Sequence, residues 1–184
     1  AGLEVAKGKY VFVLDGDDVL DKRFCEELSE AQRRNPQSFV FCIYKEFDDI
    51  RKKTVIREYR RTDEICYELK RNELADLINE TFIHIPWNKI YLRDVIEKHH
   101  IRYDESVSNA EDYIFNMEYL LKWNPDKFVV WNRPLYWYRK HGTHTLSGRY
   151  YEDMFATKKK EIALLTLLEK QWDIVHGDGY YKRV

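Results

Sequence analysis

Residues 10–14 (YVFVL) form an unbroken apolar run that leads directly into the four residues DGDD at positions 15–18. Five apolar residues without polar alternation predict a strand that is buried on both faces. Strands of this kind occur mainly in α/β proteins, where helices cover the sheet. Ligands of open α/β sheets bind at the carboxyl ends of the strands, which is where the three carboxylates lie. The run therefore predicts an α/β fold with a polar binding site at residues 15–18.

The rest of the chain alternates between helical and extended patterns. Start and stop signals and apolar spacing predict helices over 22–34, 70–80, 92–99 and 151–172. A further helix is predicted to begin at the S-x-x-E capping box of Ser108 and Glu111. Runs of β-forming residues predict strands over 38–47, 54–59, 128–131 and 135–138. This order predicts a mixed sheet flanked by helices, with a C-terminal helix.

The composition excludes some classes of partner. The chain has 31 Lys and Arg residues against 32 Asp and Glu residues, so no excess of positive charge favours nucleic acid. Its 184 residues are enough for one domain with a full core. The sequence contains neither a run as long as a membrane span nor a signal-peptide pattern, so we expect a cytoplasmic protein. Peripheral association with the inner face of the membrane, through partners, stays open.

The first candidate site is the pair Asp15 and Asp17. In a turn, the carboxylates of these two residues can both reach one hard divalent cation, which suits Mg²⁺ or Mn²⁺. The alternative is a loop whose aspartates cap the next helix, but Asp21 already stands at the N-cap position. A structural role therefore does not need this pair, and we interpret it as functional.

The second candidate site is the pair Glu111 and Asp112. Capping alone explains Glu111, and acidic pairs are common where helices begin, so a purely structural role stays open. Asp112 lies in the first turn, where the helix dipole is expected to lower its pKa. A carboxylate that is ionised at neutral pH can serve as a general base.

For two further groups of residues, a structural role is at least as well supported as a functional one. Trp87, Asn88 and Lys89 join an aromatic ring, an amide and a cation, which suits a carbohydrate or nucleotide platform, but a buried Trp with a solvated Lys fits equally well. His141 and His144 are candidates for a metal ligand or for phosphate contacts, although histidines in polar loops usually serve neither purpose.

Four segments of the chain follow one another in a characteristic order. The segments are residues 1–21, residues 86–91 with 101–105, residues 109–116, and residues 134–139 with Ser147. Together they resemble the family 2 glycosyltransferases, in which they match the DXD motif, the acceptor-side segment, the ED motif and the segment that closes the catalytic domain.

The resemblance implies a GT-A (Rossmann-like) fold and an inverting transfer of sugar from a nucleotide-sugar donor, with a UDP-sugar favoured. The acceptor would be a hydroxyl of a glycan or a lipid-linked molecule, in polysaccharide or cell-envelope glycan synthesis. By the same resemblance, Asp15 would contact the donor and Asp17 would bind the divalent cation that bridges the donor diphosphate. Asp112 would be the base that deprotonates the acceptor hydroxyl, and Glu111 would help to position the acceptor, as would the segment with Trp87.

The resemblance covers residues 1–148. We therefore expect residues 1–148 to be the C-terminal part of a GT-A-like catalytic domain without its N-terminal nucleotide-binding portion, and residues 149–184 to be a C-terminal helix and tail. The strand over 10–14 would then lack neighbours on one side. An exposed strand edge favours pairing with another chain, so a homo-oligomer is a further expectation.

Two other functions stay open on the sequence. The string from Asp15 to Val19 also satisfies the first motif of haloacid dehalogenase-like phosphatases, in which Asp15 would be the nucleophile and Asp17 the acid/base. That interpretation leaves the segments around Trp87 and Glu111 unexplained. The other alternative is a remnant or interaction module without catalysis.

Overall fold

The computed structural model describes residues 2–141 and 151–174. The helices are α1 (Gly2–Val5), α2 (Phe24–Arg34), α3 (Leu74–Asn79), α4 (Arg93–Lys98), α5 (Glu111–Trp123) and α6 (Met154–Gln171). The strands are β1 (Tyr10–Val11), β2 (Val19–Leu20), β3 (Ser38–Asp48), β4 (Lys53–Arg57), β5 (Cys66–Leu69), β6 (Tyr91–Leu92) and β7 (Lys127–Lys140).

The centre of the sheet is the parallel pair of β3 and β7. On the other edge of β7, β5 pairs with its first half and β2 with its second half, both antiparallel. β4 pairs antiparallel with the second half of β3, and β1 pairs antiparallel with β6 in a separate short ladder. Backbone bonds from Cys42 to Asn88 (2.8 Å) and from Ile90 to Val40 (3.3 Å) tie the segment before β6 to β3. The predicted mixed α/β sheet flanked by helices is confirmed.

The strand predicted over 10–14 is shorter and more exposed than expected. Regular pairing is limited to Tyr10 and Val11, the side chains of residues 10–13 are half-buried, and Leu14 is 52% exposed. Within the described residues, β1 has β6 on one side only, and a cavity of about 570 Å³ lies against residues 10–13. The prediction of burial on both faces is therefore wrong for this part of the chain.

The strands predicted over 128–131 and 135–138 form one continuous strand, β7. The predicted break remains visible as an irregularity, because Cys42 lies opposite Trp131 whereas Tyr44 lies opposite Tyr136. The extra residues in β7 include Pro134, which has no N–H to donate to a neighbouring strand. β5 had no sequence prediction, and a 3-10 turn over Arg71–Glu73 precedes α3.

The long C-terminal helix, α6, is confirmed and packs against α5. Its residues Leu165 and Leu168, followed by Trp172, join the same hydrophobic core as the sheet. The predicted domain boundary at 148/149 lies outside the described residues. Among the described helices, none combines the length and the apolar character needed to cross a bilayer.

Candidate active site

The loop after β1 is attached to β7 through Asp18 and Tyr136. The carboxylate of Asp18 accepts hydrogen bonds from the Tyr136 hydroxyl (2.7 Å) and from the backbone N–H of Arg139 (2.7 Å). The Tyr136 hydroxyl in turn accepts a bond from the backbone N–H of Asp15 (3.3 Å). Asp18 therefore orients the loop, in which Asp15 and Asp17 are exposed as whole residues, although the carboxyl group of Asp15 is partly buried.

The predicted helix that carries the second acidic pair is present, but it begins at Glu111, two residues later than a capping box of Ser108 and Glu111 would place it. Its N-cap residue is Ala110, which lies in the left-handed region (φ 63°), and no side chain caps the helix. The backbone N–H of Ser108 instead donates to the Asp153 carboxylate, just before α6, at 2.7 Å. The sharp turn at Ala110 brings Asp112 into the first turn of α5, and Asp153 holds the preceding loop.

Asp15 and Asp112 line the same cavity. The cavity has a volume of about 500 Å³ and lies between the loop after β1, the start of α5 and the loop that connects α4 with α5. Tyr103 and Glu111 also contribute to its wall. The structure thus brings together three of the predicted site residues, from segments almost one hundred positions apart, around a space that can admit a ligand.

Burial and neighbouring charges raise the pKa of Asp112 from 3.8 to about 7. Loss of hydration is the largest cause, and the negative charges of Glu111 and Asp15 add to it. Lys89 and the Tyr103 hydroxyl, which faces the carboxylate, act in the opposite direction. The prediction that the helix dipole would lower this pKa is therefore wrong, because burial and like charges outweigh the dipole. A carboxyl group that titrates near neutral pH is matched to general-base catalysis.

The pKa of Asp15 is raised as well. The causes are burial, followed by the charges of Asp18 and Asp17 on the same loop. Three carboxylates within four residues therefore repel one another in the absence of a cation, as the sequence suggested.

Asp17 lies next to the predicted histidine His141. The Nε2 atom of His141 is 3.2 Å from the Asp17 carboxylate, and its Nδ1 atom is 2.8 Å from the carboxylate of Asp49. His144 lies outside the described residues. Within residues 2–141 and 151–174, no group of three or more His, Cys, Asp or Glu side chains is arranged to hold a metal ion without other ligands.

Trp87, Asn88 and Lys89 lie in the core behind the cavity. Trp87 is 4% exposed and stacks on Tyr136, with ring centroids 4.2 Å apart. Asn88 and Lys89 are fully buried, and the amide of Asn88 donates to the backbone oxygen of Cys42 at 2.8 Å. The side chains of these three residues therefore offer almost no surface to an acceptor, and their contacts here are with the protein itself.

Residues 1–99 match the profile of a known family, "Glycosyl transferase family 2". The chain belongs to this family. Membership in a transferase family agrees with the resemblance in motif order and supports a transferase over the phosphatase alternative.

Relatives in this glycosyltransferase family share 26 to 30% of the aligned residues. The chain is 26% identical over 142 residues to "Uncharacterized glycosyltransferase EpsJ" of Bacillus subtilis (strain 168), a match that spans 76% of this chain and 40% of EpsJ. It is 30% identical over 121 residues to "Poly(ribitol-phosphate) beta-N-acetylglucosaminyltransferase TarP" of Staphylococcus aureus (strain N315), spanning 65% of this chain and 34% of TarP. The chain thus spans less than half the length of these relatives.

Solved structures with a similar fold include TarS from S. aureus. The crystal structure of TarS 1–349 in complex with UDP-GlcNAc aligns with 89% of this chain and 44% of TarS 1–349, with a TM-score of 0.65 and 20% identity. The complex of TarS 1–349 with UDP aligns with 99% of this chain and 52% of TarS 1–349, with a TM-score of 0.61 and 17% identity. The likeness shows that this chain has a GT-A-like fold that matches about half of TarS 1–349.

Three residues with roles at the site escaped the sequence analysis. Tyr136 was noted only as part of the segment that resembles the end of the catalytic domain, and nothing in its spacing linked it to the DGDD loop. Tyr103 was likewise noted only as part of the segment 101–105 that resembles the acceptor side of the family, with no link to Asp112. Asp49 carries no local signal, since it acquires its role through His141, which is far away in the sequence.

Proposed function

We propose that this chain carries the donor-side aspartates and the catalytic base of an inverting, metal-dependent glycosyltransferase. The reaction would transfer a sugar from a UDP-sugar to an acceptor hydroxyl, in the synthesis of a polysaccharide or a cell-envelope glycan. Family membership supports a transferase, and the arrangement of the site supports the assignment of residues. The observation that carries the proposal is the cavity that Asp15 and Asp112 both line, although the two residues are almost one hundred positions apart in the sequence.

Asp112 is the base in this proposal. Its carboxylate accepts the proton of the acceptor hydroxyl while the hydroxyl oxygen bonds to the anomeric carbon and the bond from that carbon to the diphosphate breaks. Asp112 keeps that proton until solvent removes it. Attack from the face opposite the leaving diphosphate inverts the anomeric centre in a single step. At neutral pH a carboxyl group with a pKa of about 7 is ionised in part of the molecules, and these can accept a proton. The protonated group can then release the proton again.

The residues around Asp17 fit a divalent cation that is shared with the donor. Asp17 offers an oxygen ligand and His141 a nitrogen ligand, and Asp49 faces the other ring nitrogen of His141. A carboxylate in that position fixes the orientation of a histidine ligand. The donor diphosphate would complete the coordination, and the cation would neutralise the charge that develops on the leaving group.

Two of the similar proteins support the substrate classes. The structure of TarS with UDP-GlcNAc points to a UDP-sugar as donor, and UDP-GlcNAc is therefore the first donor to test. The name of TarP describes a transferase that acts on poly(ribitol-phosphate), which supports a polyol or glycan polymer of the cell envelope as the acceptor class.

The proposal is tested with the Asp112→Asn variant of the full chain. We expect this variant to bind UDP with Mn²⁺ as tightly as the unmodified protein in calorimetry but to release no UDP in a transfer assay with UDP-GlcNAc. The control is Asp94→Asn, which makes the same change on α4 at a carboxylate that is 88% exposed. Transfer by Asp112→Asn at the rate of this control would refute the assignment of the base. The absence of saturable UDP binding in every variant would support the non-catalytic alternative.

A further inference from the structure

Lys89 is a fully buried lysine, and each of the three N–H donors of its ammonium group has an acceptor. Its Nζ atom contacts the backbone oxygens of Phe82 and Ile85 and the side-chain oxygen of Asn88. An ammonium group has three N–H donors and no acceptor, whereas a neutral amine has two donors and a lone pair. Three acceptors around one nitrogen therefore match the protonated form of Lys89.

Burial lowers the pKa of Lys89, and two acidic groups oppose this effect: the thiol of Cys42 from β3 and the carboxyl of Asp112 from α5. The thiol stays neutral near pH 7, because burial raises its pKa to about 12. Of the two groups, only Asp112 can carry a charge there. The positive charge of Lys89 and the negative charge of Asp112 therefore favour each other.

The other charged and polar groups that act on Asp112 come from its own helix and from two loops. Glu111 on α5 and Asp15 after β1 both disfavour its ionised form, whereas the Tyr103 hydroxyl favours it. Lys89 is the one cation among these influences on Asp112. Without the charge of Lys89, the Tyr103 hydroxyl would be the one remaining group of this set that favours the ionised form of Asp112.

Lys89 is also linked to α5 through an acceptor that it shares with Asn116. The backbone oxygen of Ile85, which accepts a bond from Lys89, also accepts one from the amide of Asn116 (3.3 Å). Asn116 is fully buried, lies one helical turn after Asp112, and donates to the backbone oxygen of Ile83 at 2.7 Å. The segment 82–89 is thus fastened to α5 directly behind the proposed base.

We propose that Lys89 is a positioning residue whose buried ammonium group holds the segment 82–89 against α5 and keeps the Asp112 carboxylate ionised near neutral pH. This inference rests on the proposed function, in which Asp112 is the base. It also replaces the acceptor contact that the sequence suggested for Lys89 with an action through Asp112.

The test separates the charge of Lys89 from its packing. Lys89→Gln removes the charge and retains two N–H donors for the carbonyl groups, whereas Asn116→Ala breaks the same link to α5 without changing any charge. The ionisation of Asp112 is followed by NMR of its side-chain carboxyl carbon, with Asp112→Asn identifying the signal. We expect Lys89→Gln to raise the titration midpoint of Asp112 by one pH unit or more, a tenfold gain in proton affinity. We expect Asn116→Ala to shift it by less than a third of a unit.

An unchanged midpoint in Lys89→Gln, or equal shifts in the two variants, would overturn the proposal. If Lys89→Gln does not fold, the side-chain nitrogen of Lys89 is titrated by NMR in the unmodified protein. A protonated amine throughout the neutral range supports the proposal, and a neutral amine at pH 7 overturns it. These measurements do not depend on transfer, so an inactive but correctly titrating protein would count against the proposed function alone.

Discussion

Replacing Asp112 with Asn should stabilise the folded protein at alkaline pH while abolishing transfer. Asp112 is half-buried next to Glu111 and Asp15, and its pKa in the folded protein is about 7 instead of 3.8. Between these two values the folded state holds a proton that the unfolded state has released. The contribution of this group to stability is therefore greatest below pH 3.8 and falls as the pH rises, until it levels off above about pH 7.

The magnitude follows from the shift. A rise of about three pKa units corresponds to a loss of about 4 kcal/mol by about pH 8, of which about 1.5 kcal/mol is already lost at about pH 5. Asn is a neutral isostere of the carboxyl group and avoids this loss. The stability of Asp112→Asn relative to the unmodified protein should therefore increase by up to about 3 kcal/mol between about pH 5 and about pH 8.

Urea unfolding of both proteins at the two pH values measures this change, with Asp94→Asn as the control for replacing an exposed carboxylate. A relative stability of Asp112→Asn that is independent of pH would refute the reasoning, because it would mean that Asp112 titrates alike in the folded and unfolded states. A gain in stability at the same position where activity is lost is typical of active sites, whose like charges are retained for function.

Three further substitutions test the rest of the site. Asp17→Ala should remove the strengthening of UDP binding by Mn²⁺, and calorimetry with and without the ion measures this; an unchanged effect of Mn²⁺ would contradict the role of Asp17. Tyr136→Phe removes a hydrogen bond to the charged Asp18 and should lower the free energy of unfolding by about 1.5–3 kcal/mol in urea, and a loss well below this would mean that the bond does not hold the loop. Trp87→Ala should cost about 3–5 kcal/mol in the same assay because it leaves a cavity next to Tyr136, whereas a ring that served only a ligand would cost much less.

The sequence predicted the elements and the ligand-bearing loops better than the environment of the site. Apolar spacing, capping signals and the order of helical and extended segments predicted the mixed sheet, α5 and α6. The acidic motifs selected Asp15 and Asp112, which the structure brings to one cavity. The pKa of Asp112 was predicted in the wrong direction, because a local rule about helix ends cannot include burial or the charge of a residue almost one hundred positions earlier. Electrostatics at a site depends on neighbours that only the fold supplies.

The segment with Trp87, Asn88 and Lys89 is a second case in which the sequence does not reveal the surroundings of the side chains. An aromatic ring, an amide and a cation in a row can bind a sugar. The same groups can instead pack in the core and donate hydrogen bonds to backbone carbonyl oxygens there. The deciding quantity is the number of acceptors that the protein itself supplies. For Lys89 that number is three, which equals the number of its donors. A cation whose donors are all used by its own protein has none left for a ligand, so the role that we propose for Lys89 is exerted through its positive charge on Asp112.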